Sequence, residues 1–147
     1  MLSNIYQGVL RVNNIETVLK ISATHAQIVK TLDAQLSIHG VSFSEFIVMY
    51  QLSLAPKYTM RRIDLAQKVG MSASGVTRLL RPMEKLKIVS KEPNPRDARV
   101  SFVKLSDVGK GLFDNAYRSL NDATQRIFED IEAGEHATLL EILKKIN

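Results

Sequence analysis

Gly70 separates two short amphipathic stretches, and that break constrains the chain more than any other feature of its sequence. Upstream of it, Ile63, Leu65, Ala66 and Val69 recur at helical spacing. Glycine enters the left-handed conformation that ends a helix without a steric penalty, so a first helix is expected to stop there. Ser72 then serves as N-cap of a second helix. Along that helix Val76, Leu79, Leu80 and Met83 face inward, while Ser72, Ser74, Thr77, Arg78 and Arg81 face outward. Two helices joined by so tight a turn cross as a helix-turn-helix, whose second helix can present its N-terminal half to a major groove. The outward residue types suit that place. Hydroxyls and helix amides bind phosphates, and one arginine can bond two acceptors of a guanine.

The next segment makes the pattern more specific. Ile88–Glu92 and Val100–Leu105 alternate as two short strands, joined by Pro93-Asn94-Pro95-Arg96-Asp97-Ala98-Arg99. Two prolines forbid a helix in that loop, so a hairpin is expected to project with Arg96 and Arg99 near its tip. A helix-turn-helix followed by a basic hairpin is a winged helix. Arginine at the tip of a wing suits a narrow minor groove, where the negative potential is enhanced. Charge follows the same division: from Lys57 to Lys104 twelve Lys and Arg stand against four acidic groups, a net of +8, while the remainder carries a net of −3. A basic middle in an acidic frame either faces a polyanion or forms a solvated basic surface.

Long apolar helices flank this middle. Ile15, Val18, Ser22, His25, Val29, Leu32 and Leu36 recur at spacings of three and four. Ser42 and Glu45 form a capping box, with Val41 and Phe46 as its hydrophobic staple, and Phe46, Ile47, Tyr50 and Leu54 supply the expected buried face until Pro56. Beyond Ser106, Leu112, Phe113, Ala116, Tyr117, Leu120, Thr124, Ile127, Phe128 and Ile131 trace another helix. Ala133-Gly134 is expected to break it before a last helix bearing His136, Leu139, Leu140, Leu143 and Ile146. One small lobe cannot cover so much apolar helix, and burial between two copies of the chain is the economical answer. The expected fold is mainly α with a small β-hairpin: one domain over 1–147, a winged lobe over 43–105 with its wing around 88–105, and dimerisation helices over 15–39 and 106–147.

With no cysteine, the chain has no thiol nucleophile, disulfide or cysteine-bearing zinc site. No apolar run approaches the roughly 18 residues of a membrane span, and the N-terminus lacks the pattern of a secretory signal, so a cytoplasmic location is expected. His25, His39 and His136 form no metal-ligand spacing, and the glycines form no phosphate-cradling pattern. No enzyme and no cofactor is expected. Tyr50, Tyr58, Met49, His25 and Tyr117 either line a crevice for a small organic effector or belong to the core.

The order of elements resembles the MarR family of multiple-antibiotic-resistance regulators over nearly the whole chain. Its most specific stretches are Leu65-Ala66 through Val76-Thr77-Arg78-Leu79, then Met83-Glu84-Lys85, Ile88-Val89, and Leu105-Ser106-Asp107-Val108-Gly109. Asp97 and Arg99 fill the Asp-x-Arg signature of that family's wing. The resemblance implies a homodimeric repressor that binds a palindromic operator on double-stranded DNA and is released by a small molecule held between the dimer helices and the winged lobe. It also implies that Asp97 orients the wing while Arg99 reaches the minor groove. Three residues depart from the pattern. Lys87 replaces a usual glycine, so it either adopts a left-handed conformation or ends the helix differently. Pro82 lies inside the second helix, removes a hydrogen bond and is expected to bend it. Arg61 stands where Ser or Thr normally caps the first helix; either Thr59 caps one step earlier, or Arg61 and Arg62 contact phosphate. A winged helix serving as a protein-interaction module and a metal-dependent regulator are the competing readings.

Overall fold

Caps written in the sequence set most helix ends in the computed structural model, which describes residues 13–94, 97 and 100–146. Asn13 Oδ1 accepts from the Ile15 N–H at 3.0 Å, and α1 runs over Asn14–Leu36 before a single 3-10 turn at Ser37–His39. The capping box is formed as expected: Ser42 Oγ accepts from the Glu45 N–H, and Glu45 Oε2 accepts from the Ser42 N–H at 2.7 Å. It starts α2 (Phe43–Ser53), with Val41 and Phe46 both buried beside it. There follow β1 (Thr59–Arg61), α3 (Arg62–Lys68), α4 (Ala73–Lys85), β2 (Val89–Pro93), β3 (Ser101–Leu105), α5 (Asp107–Ile127) and α6 (Ala133–Ile146).

The core lies around α2, which packs against α1, α3, α4, α5 and β3. Val48, Met49 and Leu52 of α2 are fully buried there, as are Leu65, Leu80 and Val103 from three of the surrounding elements. Of the face expected for α2, Phe46 is buried, Ile47 is half-buried, and Tyr50 and Leu54 are exposed. A helix enclosed on several sides buries a wider and rotated arc, which a single apolar stripe does not reveal.

The hairpin is part of a three-stranded antiparallel sheet in the order β1-β3-β2. β1 is too short to show alternation in the sequence; it pairs Thr59 with Lys104 and Arg61 with Phe102. Pro93, expected in the loop, is instead the last residue of β2 and lies opposite Ser101. An edge strand tolerates proline because one side of its ladder needs no donor.

Lys87 takes the left-handed option, at φ +60°. The Ile88 N–H donates to the Met83 carbonyl at 2.9 Å and the Lys87 N–H to that of Glu84 at 3.0 Å, which is a Schellman ending with lysine where glycine fits best. Nothing in this turn needs the lysine side chain, which is exposed. Lys87→Gly is therefore expected to raise stability by about 1 kcal/mol, read as a higher urea midpoint at unchanged slope. Pro82 does not divide α4, which continues as one helix to Lys85.

The break after α5 comes earlier than Ala133-Gly134. α5 ends at Ile127, and α6 begins at Ala133 with Glu135 Oε2 accepting from the Glu132 N–H at 3.0 Å. Gly134 thus lies in a first turn, where backbone N–H groups lack helical partners anyway. The Phe128 ring stacks on His136 with centroids 4.8 Å apart, closing the turn between the two helices. No residue of α6 is buried, and Ile15, Val18, Leu19 and Ile21 of α1 are exposed as well.

Candidate nucleic-acid interface

Two Schellman endings aim α4. At the end of α3, Gly70 adopts φ +66°, the Met71 N–H donates to the Ala66 carbonyl at 2.9 Å, and the Gly70 N–H donates to that of Gln67. The chain reverses there, and Ser72 Oγ accepts from the Gly75 N–H at 3.1 Å to start α4. Val76, Leu80 and Met83 are buried, so the opposite arc must be outward. Ser74, Arg78, Arg81 and Lys85 occupy that arc, all exposed. Their offsets of four, seven and eleven residues return to nearly the same helical angle, giving a straight stripe with three cations. Sequence reasoning missed Lys85, although its spacing from Arg78 and Arg81 is the available signal.

Thr77 does not stand on the stripe. It lies on the flank of α4, half-buried, and its hydroxyl donates to the Ala73 carbonyl at 2.8 Å. Arg62 reaches the same flank. Its Nη1 lies 3.4 Å from Thr77 Oγ1 and its Nη2 lies 3.3 Å from Glu84 Oε1. Arg61 precedes α3 without making a side-chain cap, and Thr59 makes none either, since its hydroxyl donates to the Lys57 carbonyl. Exposed Arg61 instead lines an open groove with Asp64, Lys68 and Phe102.

On the wing, the Asp97 carbonyl accepts from the Val100 N–H at 3.0 Å, turning the chain into β3. Asp97 is exposed; Arg96 and Arg99 lie outside the described residues.

The five residues proposed for an effector crevice do not gather in one place. Tyr50 and Tyr117 line a cavity of about 280 Å³ with Phe43, Phe46 and Leu120 between α1, α2 and α5. Met49 is fully buried, and His25 is exposed on α1. Tyr58 follows Lys57 in two successive left-handed residues, and its ring carries Lys110 Nζ at 4.1 Å from the centroid. That ammonium also holds the Asp107 carboxyl below its usual range, through a hydrogen bond and its charge. Among the described residues no group of three or more His, Asp or Glu is placed to hold a metal, and no helix is long and apolar enough to cross a membrane.

Residues 39–100, from the 3-10 turn that follows α1 to the residue before β3, match the model of the MarR family. That match covers 62 of the 147 residues, so the chain is similar to the MarR family over its winged lobe. A relative in Bacillus subtilis strain 168, the uncharacterized HTH-type transcriptional regulator YdgJ, is 26% identical over 83 residues, covering 56% of this chain. This chain spans about half of that relative's length, 51%. Among solved structures, mutant MarR from E. coli complexed with operator DNA superposes with a TM-score of 0.83 at 24% identity, covering 90% of this chain and 94% of that one. Sco3205, a MarR family transcriptional regulator from Streptomyces coelicolor in complex with DNA, gives 0.82 at 22% identity, covering 92% and 90%. The winged helix-turn-helix fold expected from the sequence is therefore the fold of MarR proteins.

Proposed function

We propose that this chain is a MarR-family protein acting as a homodimeric, sequence-specific DNA-binding transcription regulator and not an enzyme. The observation that carries this reading is the exposed stripe Ser74, Arg78, Arg81 and Lys85, set opposite the buried arc of a helix whose N-terminus is capped by Ser72. On this reading α4 lies in a major groove with Ser72, Ser74, Arg78 and Arg81 toward bases and phosphates. Residues 43–105 form the reading lobe, and Arg96 and Arg99 of the wing reach the adjacent minor groove from a turn shaped at Asp97. Arg61 stands near enough to the motif to contact phosphate. The helices of 15–39 and 106–147 pair two chains, and exposed Val18, Leu140 and Leu143 are the apolar surface that pairing removes from water. The protein acts in the cytoplasm as a repressor, and the aromatic cavity between α2 and α5 takes a small organic effector. Both relatives solved with DNA have this fold, which supports the docking geometry.

Selection from random duplex DNA tests the reading. The expected product is a two-fold repeat with half-site centres about 10 base pairs apart, because two-fold protein symmetry sets the spacing. Affinity for it is expected to fall with salt at a logarithmic slope near −0.9 per neutralised phosphate. A chain that pairs with itself yet enriches no duplex is instead a protein-interaction module.

A further inference from the structure

We infer that Arg62 is a positioning residue that sets the seat of α4 on α3, and that Glu84 and Thr77 are its anchors. The inference rests on the reading that α4 enters DNA, and it reassigns two residues from contact to support. α3 has only seven residues and no side-chain N-cap, so its own turns do little to hold its first residue in place. Arg62 is that residue. Its guanidinium bonds Thr77, in the half of α4 nearest the turn, and Glu84, two helical turns further along the same flank. One rigid planar group therefore touches both halves of the reading helix from its neighbour. Thr77 has committed its only hydroxyl proton to Ala73, which leaves its oxygen to accept from Arg62.

The chemistry points to geometry more than to stability. The side chains of Arg62 and Glu84 are 23% and 32% exposed, their contact is long at 3.3 Å, and Arg62 Nε is buried with no hydrogen-bond partner. A pair left partly unsatisfied adds little to stability, but it penalises any rotation of α4 that separates its members. The exposed stripe is displaced from this flank, so a change in roll would re-aim Arg78 and Arg81 without touching either.

The test uses the full chain with a selected duplex and a scrambled duplex of equal length, across a range of salt. Arg62→Gln and the isosteric Glu84→Gln are each expected to lose about ten-fold of the preference for the selected duplex. Affinity for the scrambled duplex and the salt slope should stay as in the parent. Combining Arg62→Glu with Glu84→Arg should recover most of the preference, which a merely structural contribution of either side chain would not produce. If Arg62→Gln weakens both duplexes equally and flattens the salt slope by about one, Arg62 is a phosphate ligand and the inference falls. It falls too if neither single variant changes the preference, or if the exchange recovers nothing. A parent chain that prefers no duplex overturns the DNA-reading function itself and the brace with it.

Discussion

Gly109→Ala is expected to destabilise the protein by about 3 kcal/mol, the upper end of overpacking penalties. Gly109 lies in the first turn of α5, where its N–H donates to Ser106 Oγ at 2.9 Å. A Cβ there would run into the Ile88 carbonyl oxygen and come within 2.7 Å of Leu105 Cδ1. The carbonyl cannot retreat freely, because it accepts from the Ser106 N–H at 3.1 Å, and the Ser106 hydroxyl ties the adjoining Lys87 carbonyl at 2.6 Å. Ile88 is in turn tied by its own N–H to Met83, inside α4. The added methyl therefore strains the weld between the exit of α4 and the start of α5. Gly111 supplies the control: it is on the same helix, exposed, and a Cβ added to it would meet nothing within 4 Å. Gly111→Ala should stabilise by about 0.5–1 kcal/mol, since alanine loses less backbone freedom in a helix. Urea unfolding at fixed protein concentration reads both, and a Gly109 variant as stable as the parent would mean that the weld yields.

Arg78→Ala should cost about 1–3 kcal/mol of discrimination between the selected duplex and one altered at a single guanine, the size of a lost bidentate base contact. Arg78 is exposed, and its removal leaves no buried partner stranded, so the thermal unfolding of the free protein should be unchanged. Lys85 is the useful comparison. A flexible ammonium beyond the base-reading half is suited to phosphate, so Lys85→Ala should weaken all duplexes alike and reduce the salt slope by about one. Titrations with matched and altered duplexes at several salt concentrations separate the two behaviours. If Arg78→Ala behaves like Lys85→Ala, Arg78 reads no base and specificity must come from elsewhere on the stripe or from DNA shape.

The turn and caps of the winged lobe were legible because their causes are local. Ser42, Ser72 and Ser106 each accept from an N–H three residues on, and Gly70 ends α3 within one turn. The misplaced arc of α2 and the unforeseen strand β1 have their origin in longer reach. The buried arc of α2 is set by five neighbouring elements, and β1 exists only because β3 offers it a partner. The start of α6 is a local exception: Glu135 accepts from the Glu132 N–H, a capping bond that outweighed the helix-breaking tendency of Gly134. Lys87 shows the reverse: its departure was visible, and the surrounding hydrogen bonds impose on a lysine the conformation expected of a glycine.

The sequence by itself determined that two helices meet at Gly70, that a basic hairpin follows, and that apolar helices flank the lobe. Those conclusions depend on backbone propensities and capping bonds spanning three to five residues. Only the tertiary structure decided which polar residues of the motif are outward. Thr77 and Arg62 carry the chemistry of DNA contacts, yet Arg62 meets Thr77 and Glu84 across separations of 15 and 22 residues. Periodicity places a side chain on a face of its own helix; what that face meets is settled by packing between helices, which no local spacing records.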